Sequence, residues 1–405
     1  MKVFTKFVLI MTLIIWLPAG AYCQEALWKE LNTKSSAFYK QGQYSEAAKA
    51  GEEALKVAEA TFGSNHLNVA QSLNHLAAIY QAQAKYARAE PLYNRALAIW
   101  EKALGKDHPQ VATALNNVAV LYQSQGKYFE AEPLYNRALA IWEKALGKEH
   151  PQVATALNNL AVLYQVQGKY SEAEPLYNRA LAIWEKALGR DHPQVATVLN
   201  NLADLYYLQA KYSEAEDLYE RVLELWEKLF GPDHPYLAQS LNNLAEIYRI
   251  QGKVSSAESL YNRALAIWEK KLGPDHPQVA TTLHNLALTY QFQARYAEAE
   301  SLYERSMAIW EKVLGPDHPN VAQCLNNLGD LYRTQGRYAE AEPLYNRALS
   351  ILEKALGPDH PYMAIIYENL AKCYKELDKE EEAGLFEQRA KKIRLERAQK
   401  TPPEK

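Results

Sequence analysis

The chain has 405 residues, 48% of them hydrophobic and 23% charged, and a net charge of −3. This is ordinary for a soluble folded protein. It gives no sign of the strongly basic face that a nucleic-acid partner favours.

Residues 1–23 read as a secretory signal. Lys2 and Lys6 supply a positive start, Phe7 to Leu17 is an apolar run, and Pro18-Ala19-Gly20-Ala21 offers a small-residue cleavage site. Cleavage after Ala21 fits that site, and cleavage after Cys23 is a second possibility. The uncharged stretch from Phe7 to Cys23 is short for a membrane span, which needs roughly 20 apolar residues. The rival readings are an uncleaved anchor and a lipoprotein held through Cys23. Tyr22 argues against the lipoprotein, because such signals resemble one another in having a small residue before the cysteine. The expected location is extracytoplasmic, periplasmic or secreted, with no stable membrane insertion.

From there on, one unit recurs. His66, His108, His150, His192, His234, His276, His318 and His360 stand 42 residues apart, and all but the first precede a proline. A fixed period means one supersecondary unit copied along the chain, with neighbours stacking to bury a shared core. In the unit from Ala154 to Gly189, Leu157, Leu160, Ala161 and Tyr164 mark one helical face. Gly168 stops that helix. Ser171 and Glu174 have the spacing of a capping box opening a second helix, with Pro175 close to its first turn. Ala173, Tyr177, Ala180, Leu181 and Trp184 give the second buried face, and Gly189 ends it. Pro193 suits the first position of the next helix.

These residues resemble the tetratricopeptide repeat: Leu157, Leu160, Ala161, Tyr164, Ala173 and Tyr177 in one copy, Leu325, Leu328, Gly329, Tyr332, Ala341 and Tyr345 in another. The family's closing proline is missing, and Glu185 stands in its place. The second helix runs on, and the long form is similar to the repeats of kinesin light chains and related bacterial proteins. The resemblance covers about nine units within 24–400, leaving 401–405 as a disordered tail. It implies an all-α, right-handed superhelical solenoid of antiparallel helix pairs. The first unit departs from the pattern at Lys34 and Gly51. The ninth is highly charged, as terminal caps are. The basic run from Arg389 to Lys400 reads as a solvated cap or as an anionic-surface patch.

The candidate chemistry is sparse. Histidines one repeat apart cannot converge on a metal ion, because ligands must lie within roughly 2.0–2.3 Å of one point. His75 and His284 are singletons on different units. The Trp series from Trp100 to Trp310 reads as a seal between units. Cys324 and Cys373 are too far out of register for a disulfide. No nucleophile elbow, phosphate loop or paired catalytic carboxylate stands out, so neither an enzyme nor a cofactor is expected.

Asparagine pairs recur on the first helices, as at Asn158-Asn159 and Asn200-Asn201. In tetratricopeptide proteins this face lines the concave groove, where the resemblance implies that Asn holds the backbone of an extended peptide. An amide supplies the donor and acceptor needed. The other reading is that Asn bonds the neighbouring helix. The second Asn is the better candidate for a ligand: Asn117, Asn159, Asn201, Asn243, Asn285 and Asn327. The face then diverges at Asp204, Tyr207, Glu246, Arg249, His284, Phe292, Asp330 and Arg333, where mixed charge and aromatic contact would read a partner. The expected function is a scaffold binding peptide segments or partner proteins. The alternative is a spacer that holds no peptide, with self-association possible.

Overall fold

A computed structural model describes residues 24–358, 360 and 362–400. The signal segment, its cleavage sites, Cys23 and the 401–405 tail lie outside the described residues. The described residues are helical with short connectors: α1 (24–40), α2 (Tyr44–Phe62), α3 (Leu67–Ala82), α4 (Tyr86–Leu104), α5 (Pro109–Ser124), α6 (Tyr128–Leu146), α7 (Pro151–Val166), α8 (Tyr170–Leu188) and α9 (Pro193–Leu208). There follow α10 (Tyr212–Phe230), α11 (Pro235–Ile250), α12 (Val254–Leu272), α13 (Pro277–Phe292), α14 (Tyr296–Leu314), α15 (Pro319–Thr334), α16 (Tyr338–Leu356), α17 (Met363–Glu376) and α18 (Glu380–Lys400). Odd and even helices pair in tandem.

The recurring histidine explains where most odd helices begin. The His150 Nδ1 accepts a hydrogen bond from the Gln152 N–H at 3.2 Å, satisfying an orphan donor of the first turn. His66, His108, His192, His234, His276, His318 and His360 make the same contact, at 3.2 or 3.3 Å. Most even helices end at a glycine in a conformation side chains avoid, such as Gly189 with φ 87° and ψ 160°.

Two local expectations differ from the structure. Ser171 is the second residue of α8, whose N-cap is Lys169 with no side-chain bond. Its hydroxyl bonds Glu172 instead, at 2.7 Å, because the helix starts too early for a capping box. Pro175 lies beyond the first turn, inside α8. The helix continues there because Ala173 and Tyr177, on either side of the proline, are locked in the core.

The chain divides at Leu205/Tyr206 into two units. In the first, α3, α5 and α7 pack on α4, α6 and α8, while α2, α4 and α6 pack on the next odd helix, and α3, α5 and α7 touch in succession. Ala119, Ala131, Tyr135, Leu160 and Leu163 form one buried cluster drawn from two repeats, so neither repeat buries its face alone. The second unit repeats this pattern, with α11, α13, α15 and α17 in succession. Ala245, Ala257, Tyr261 and Leu286 form its equivalent cluster.

Polar contacts also recur with the repeat. In the first unit, Glu132 accepts from the Tyr164 hydroxyl at 3.1 Å and pairs with Lys169 at 3.5 Å. In the second, Glu258 accepts from Tyr290 at 3.1 Å and pairs with Arg295 at 2.9 Å. The Arg295 guanidinium lies 3.8 Å from the Tyr290 ring centroid. These pairs are partly exposed, worth about 0–1 kcal/mol each, and add alignment more than stability. Cys324 and Cys373 are buried free thiols.

Candidate functional site

In the first unit the asparagine pairs form a ladder between repeats. Asn117 donates its Nδ2 to Asn74 Oδ1 at 2.9 Å, Asn159 to Asn116 at 3.0 Å, and Asn201 to Asn158 at 3.0 Å. The first Asn of a pair is the buried one, with Asn116 and Asn158 each 8% exposed. The second is half-buried. The contacts of Asn159 and Asn201 therefore satisfy carbonyls of buried residues, and each of the three occupies a donor that a ligand would want. Asn200 donates to Asp204 Oδ2 at 3.1 Å, one turn further along the helix.

The second unit varies the ladder. Asn369 donates to Asn326 Oδ1 at 3.0 Å. Asn327 meets the His284 Nε2 at 3.0 Å, so that nitrogen accepts and the ring proton sits on Nδ1. Burial, then the nearby Arg249 charge, pulls the His284 pKa down to about 4. Asn243 lies at 3.0 Å from Gln239 and 3.4 Å from the Tyr219 hydroxyl. Asn285 makes no side-chain contact of this kind among the described residues, and Asn242 Oδ1 is buried without a partner.

The divergent residues form two ion pairs on this face. Arg249 grips Glu246 through Nε at 2.9 Å and Nη2 at 2.6 Å, and the Tyr261 hydroxyl donates to Glu246 at 2.9 Å. The bond to Glu246 raises the Arg249 pKa. Burial raises the Tyr207 hydroxyl pKa, with Glu246 adding to it. Tyr207, Glu246, Arg249, Tyr261 and His284 thus share one electrostatic neighbourhood. Two repeats on, Arg333 pairs with Asp330 through Nη2 at 2.5 Å. Gln291 reaches the other Asp330 oxygen at 3.4 Å, and its own Oε1 accepts from Tyr303 at 2.9 Å. As the last residues of α9, α11 and α13, Leu208, Ile250 and Phe292 are exposed at equivalent positions, Phe292 by 69%.

One recurring contact escapes a reading by residue type. The buried tyrosines of the even helices bond a glutamine of their own odd helix: Tyr93 to Gln81 at 3.1 Å, Tyr135 to Gln123 at 2.8 Å, Tyr177 to Gln165 at 2.7 Å. The signal available was a Gln that precedes each such Tyr by 12 residues at the repeat period. Where Arg249 replaces this Gln, Tyr261 turns to Glu246 instead.

Stacked helix pairs closed by polar ladders define a helical-repeat protein. The tetratricopeptide repeat profile matches residues 28–102, 70–128, 110–185, 152–228, 212–270, 245–309, 278–354 and 332–396, and the chain belongs to that family. It is 30% identical to BtubC (BKLC) from P. vanneervenii, over 57% of this chain and 92% of that one, with a TM-score of 0.49. It is 33% identical to a putative kinesin light chain from Podosopora anserina, over 51% and 97%, with a TM-score of 0.45. The apo quorum sensor NprR from B. thuringiensis shares the fold at 17% identity, over 91% and 98%, with a TM-score of 0.65. No curated protein matches. Among the described residues no helix is long and apolar enough to cross a membrane.

Proposed function

We propose that the chain is a non-catalytic scaffold outside the cytoplasm, holding extended segments of partner proteins on the face formed by its odd helices. The tetratricopeptide fold itself implies protein–protein interaction. One observation supports the finer reading: in the second unit, residues that break the repeat lie on that face, at Glu246–Arg249, Asp330–Arg333 and Phe292. A purely structural array has no need of such divergence. A solved Rap protein of this fold is a complex with competence and sporulation factor. The signal-like residues 1–23 support export. The test is affinity capture from an extracytoplasmic fraction, comparing wild type with the Arg249→Ala/Arg333→Ala variant. A specific partner should be lost on the order of tenfold or more in the variant. Equal recovery by both proteins removes the groove reading.

A second reading, a spacer without a ligand, is favoured by the Asn ladder, which ties repeat to repeat at several junctions. A spacer predicts that no partner is captured. If it also self-associates, its mass in light scattering rises with concentration.

A further inference from the structure

Neither the fold nor the scaffold reading accounts for the basic end of the chain. The last twelve residues of α18, Arg389–Lys400, hold six cations and one carboxylate, Glu396. The last twelve residues of α14, Tyr303–Leu314, hold two of each. The helix dipole favours cations only within the last turn, which here means Arg397 and Lys400. Arg389, Lys391 and Lys392 lie two to three turns earlier, outside its reach.

α18 packs on α17, and Ala383, Ala390 and Ile393 are among its buried residues. Its opposite face is exposed. Leu385, Lys392 and Leu395 follow one another along that face at seven and three residues, and Lys391 stands one turn before Leu395. Leu385 is 49% exposed and Leu395 53%, and both lysines are exposed. Arg394 is held by Glu368, at 2.5 and 2.8 Å to its two oxygens. Arg389 and Lys392 line one open cleft of about 490 Å³ against Tyr367 and Pro358. The one carboxylate on its wall, Glu353, already accepts from the Tyr367 hydroxyl at 3.0 Å, so the cleft keeps an excess of positive charge. An acidic protein would match this charge but leaves the exposed leucines unexplained. A lipid surface uses both, because apolar side chains reach the acyl boundary while long cationic side chains stay at the headgroups.

We propose that α18 seats this end of the protein on an anionic lipid bilayer. Leu385 and Leu395 enter the headgroup boundary, and Arg389, Lys391 and Lys392 meet lipid phosphates. The helix lies on the surface and does not cross it.

The test uses residues 24–405, which hold every described helix, sedimented with vesicles of phosphatidylcholine alone or with about one third phosphatidylglycerol. The protein should sediment only with the anionic vesicles. Raising sodium chloride from about 50 to about 500 mM should release it. Lys391→Gln/Lys392→Gln should weaken partitioning on the order of tenfold. Leu385→Ser/Leu395→Ser should weaken it by a similar factor, roughly, and both variants should keep the wild-type melting midpoint. Lys106→Gln/Lys148→Gln, which changes two exposed lysines of the first unit, should sediment like wild type. So should Arg249→Ala/Arg333→Ala, which separates this contact from the scaffold reading. Absence of the protein from the anionic pellet overturns the proposal. So does undiminished binding by either α18 variant. Capture of a soluble polyglutamate peptide without capture of vesicles also overturns it, and identifies an acidic protein as the partner of this end.

Discussion

Asn201 Nδ2 lies 3.0 Å from Asn158 Oδ1, 43 residues earlier in the chain. Asn158 is buried, and the structure gives its carbonyl this donor from the next repeat. Asn201→Ala therefore leaves a buried acceptor unpaired, at a cost of about 1–3 kcal/mol. Asn159→Ala should do the same to Asn116. Both variants should lower the urea midpoint measurably. An unchanged midpoint would show that water replaces the lost donor without penalty.

His284 stands where other repeats carry the first Asn of the pair, and it gives the fold a pH dependence. Burial is the main cause of a pKa near 4, against 6.5 for the free side chain. Between those values the unfolded chain binds a proton that the folded chain refuses. The contribution of this residue is complete above pH 6.5 and is lost as pH falls toward 4, by about 3 kcal/mol at the limit. Urea titrations of wild type and His284→Asn across this range isolate the effect, because the other histidines are common to both. The wild type should lose stability relative to the variant on acidification. Parallel curves would mean that the ring is protonated without penalty.

The period, the helix pairs and their buried faces were legible because each is a local pattern repeated many times. Val153, Leu157 and Leu160 say inside by spacing alone. The Asn pairs were legible as a position and not as a contact. Whether Asn201 meets a ligand or Asn158 depends on how closely neighbouring helices approach, which residue type does not encode. The Tyr177–Gln165 bond was hidden for the same reason, since a Gln near a helix end reads as solvent-facing. Spacing excludes the connector histidines as ligands of one metal ion, but their Nδ1 contact depends on a ring orientation that spacing cannot supply. At Ser171 a shift of the helix start was enough to undo the capping box.

The histidine contact has its own test. His150→Ala removes the acceptor that holds the Gln152 N–H and should cost about 0.5–2 kcal/mol. His150→Asn keeps a side-chain acceptor at a favoured N-cap position and should recover most of the loss. Thermal melts of the two variants separate a cap from simple packing of the ring. Equal losses would identify packing as the cause.

Two helix ends should respond in opposite directions to exchanges of glycine and alanine. Gly189, with φ 87° and ψ 160°, occupies a region that side chains essentially do not enter. A Cβ placed there meets nothing within 4 Å, so Gly189→Ala suffers no steric clash with neighbours. Its cost is backbone strain alone, about 1–3 kcal/mol. Ala294 ends the turn after α13 with φ 60°, where other repeats place a glycine such as Gly168 or Gly252. Left-handed backbone costs a non-glycine residue roughly 1–2 kcal/mol. Ala294→Gly removes that strain but frees the unfolded chain by about 0.5–1 kcal/mol. The balance is a gain of about 0.5 kcal/mol, so its urea midpoint should rise slightly while that of Gly189→Ala falls. If both fall, the left-handed alanine is less strained than its dihedral implies.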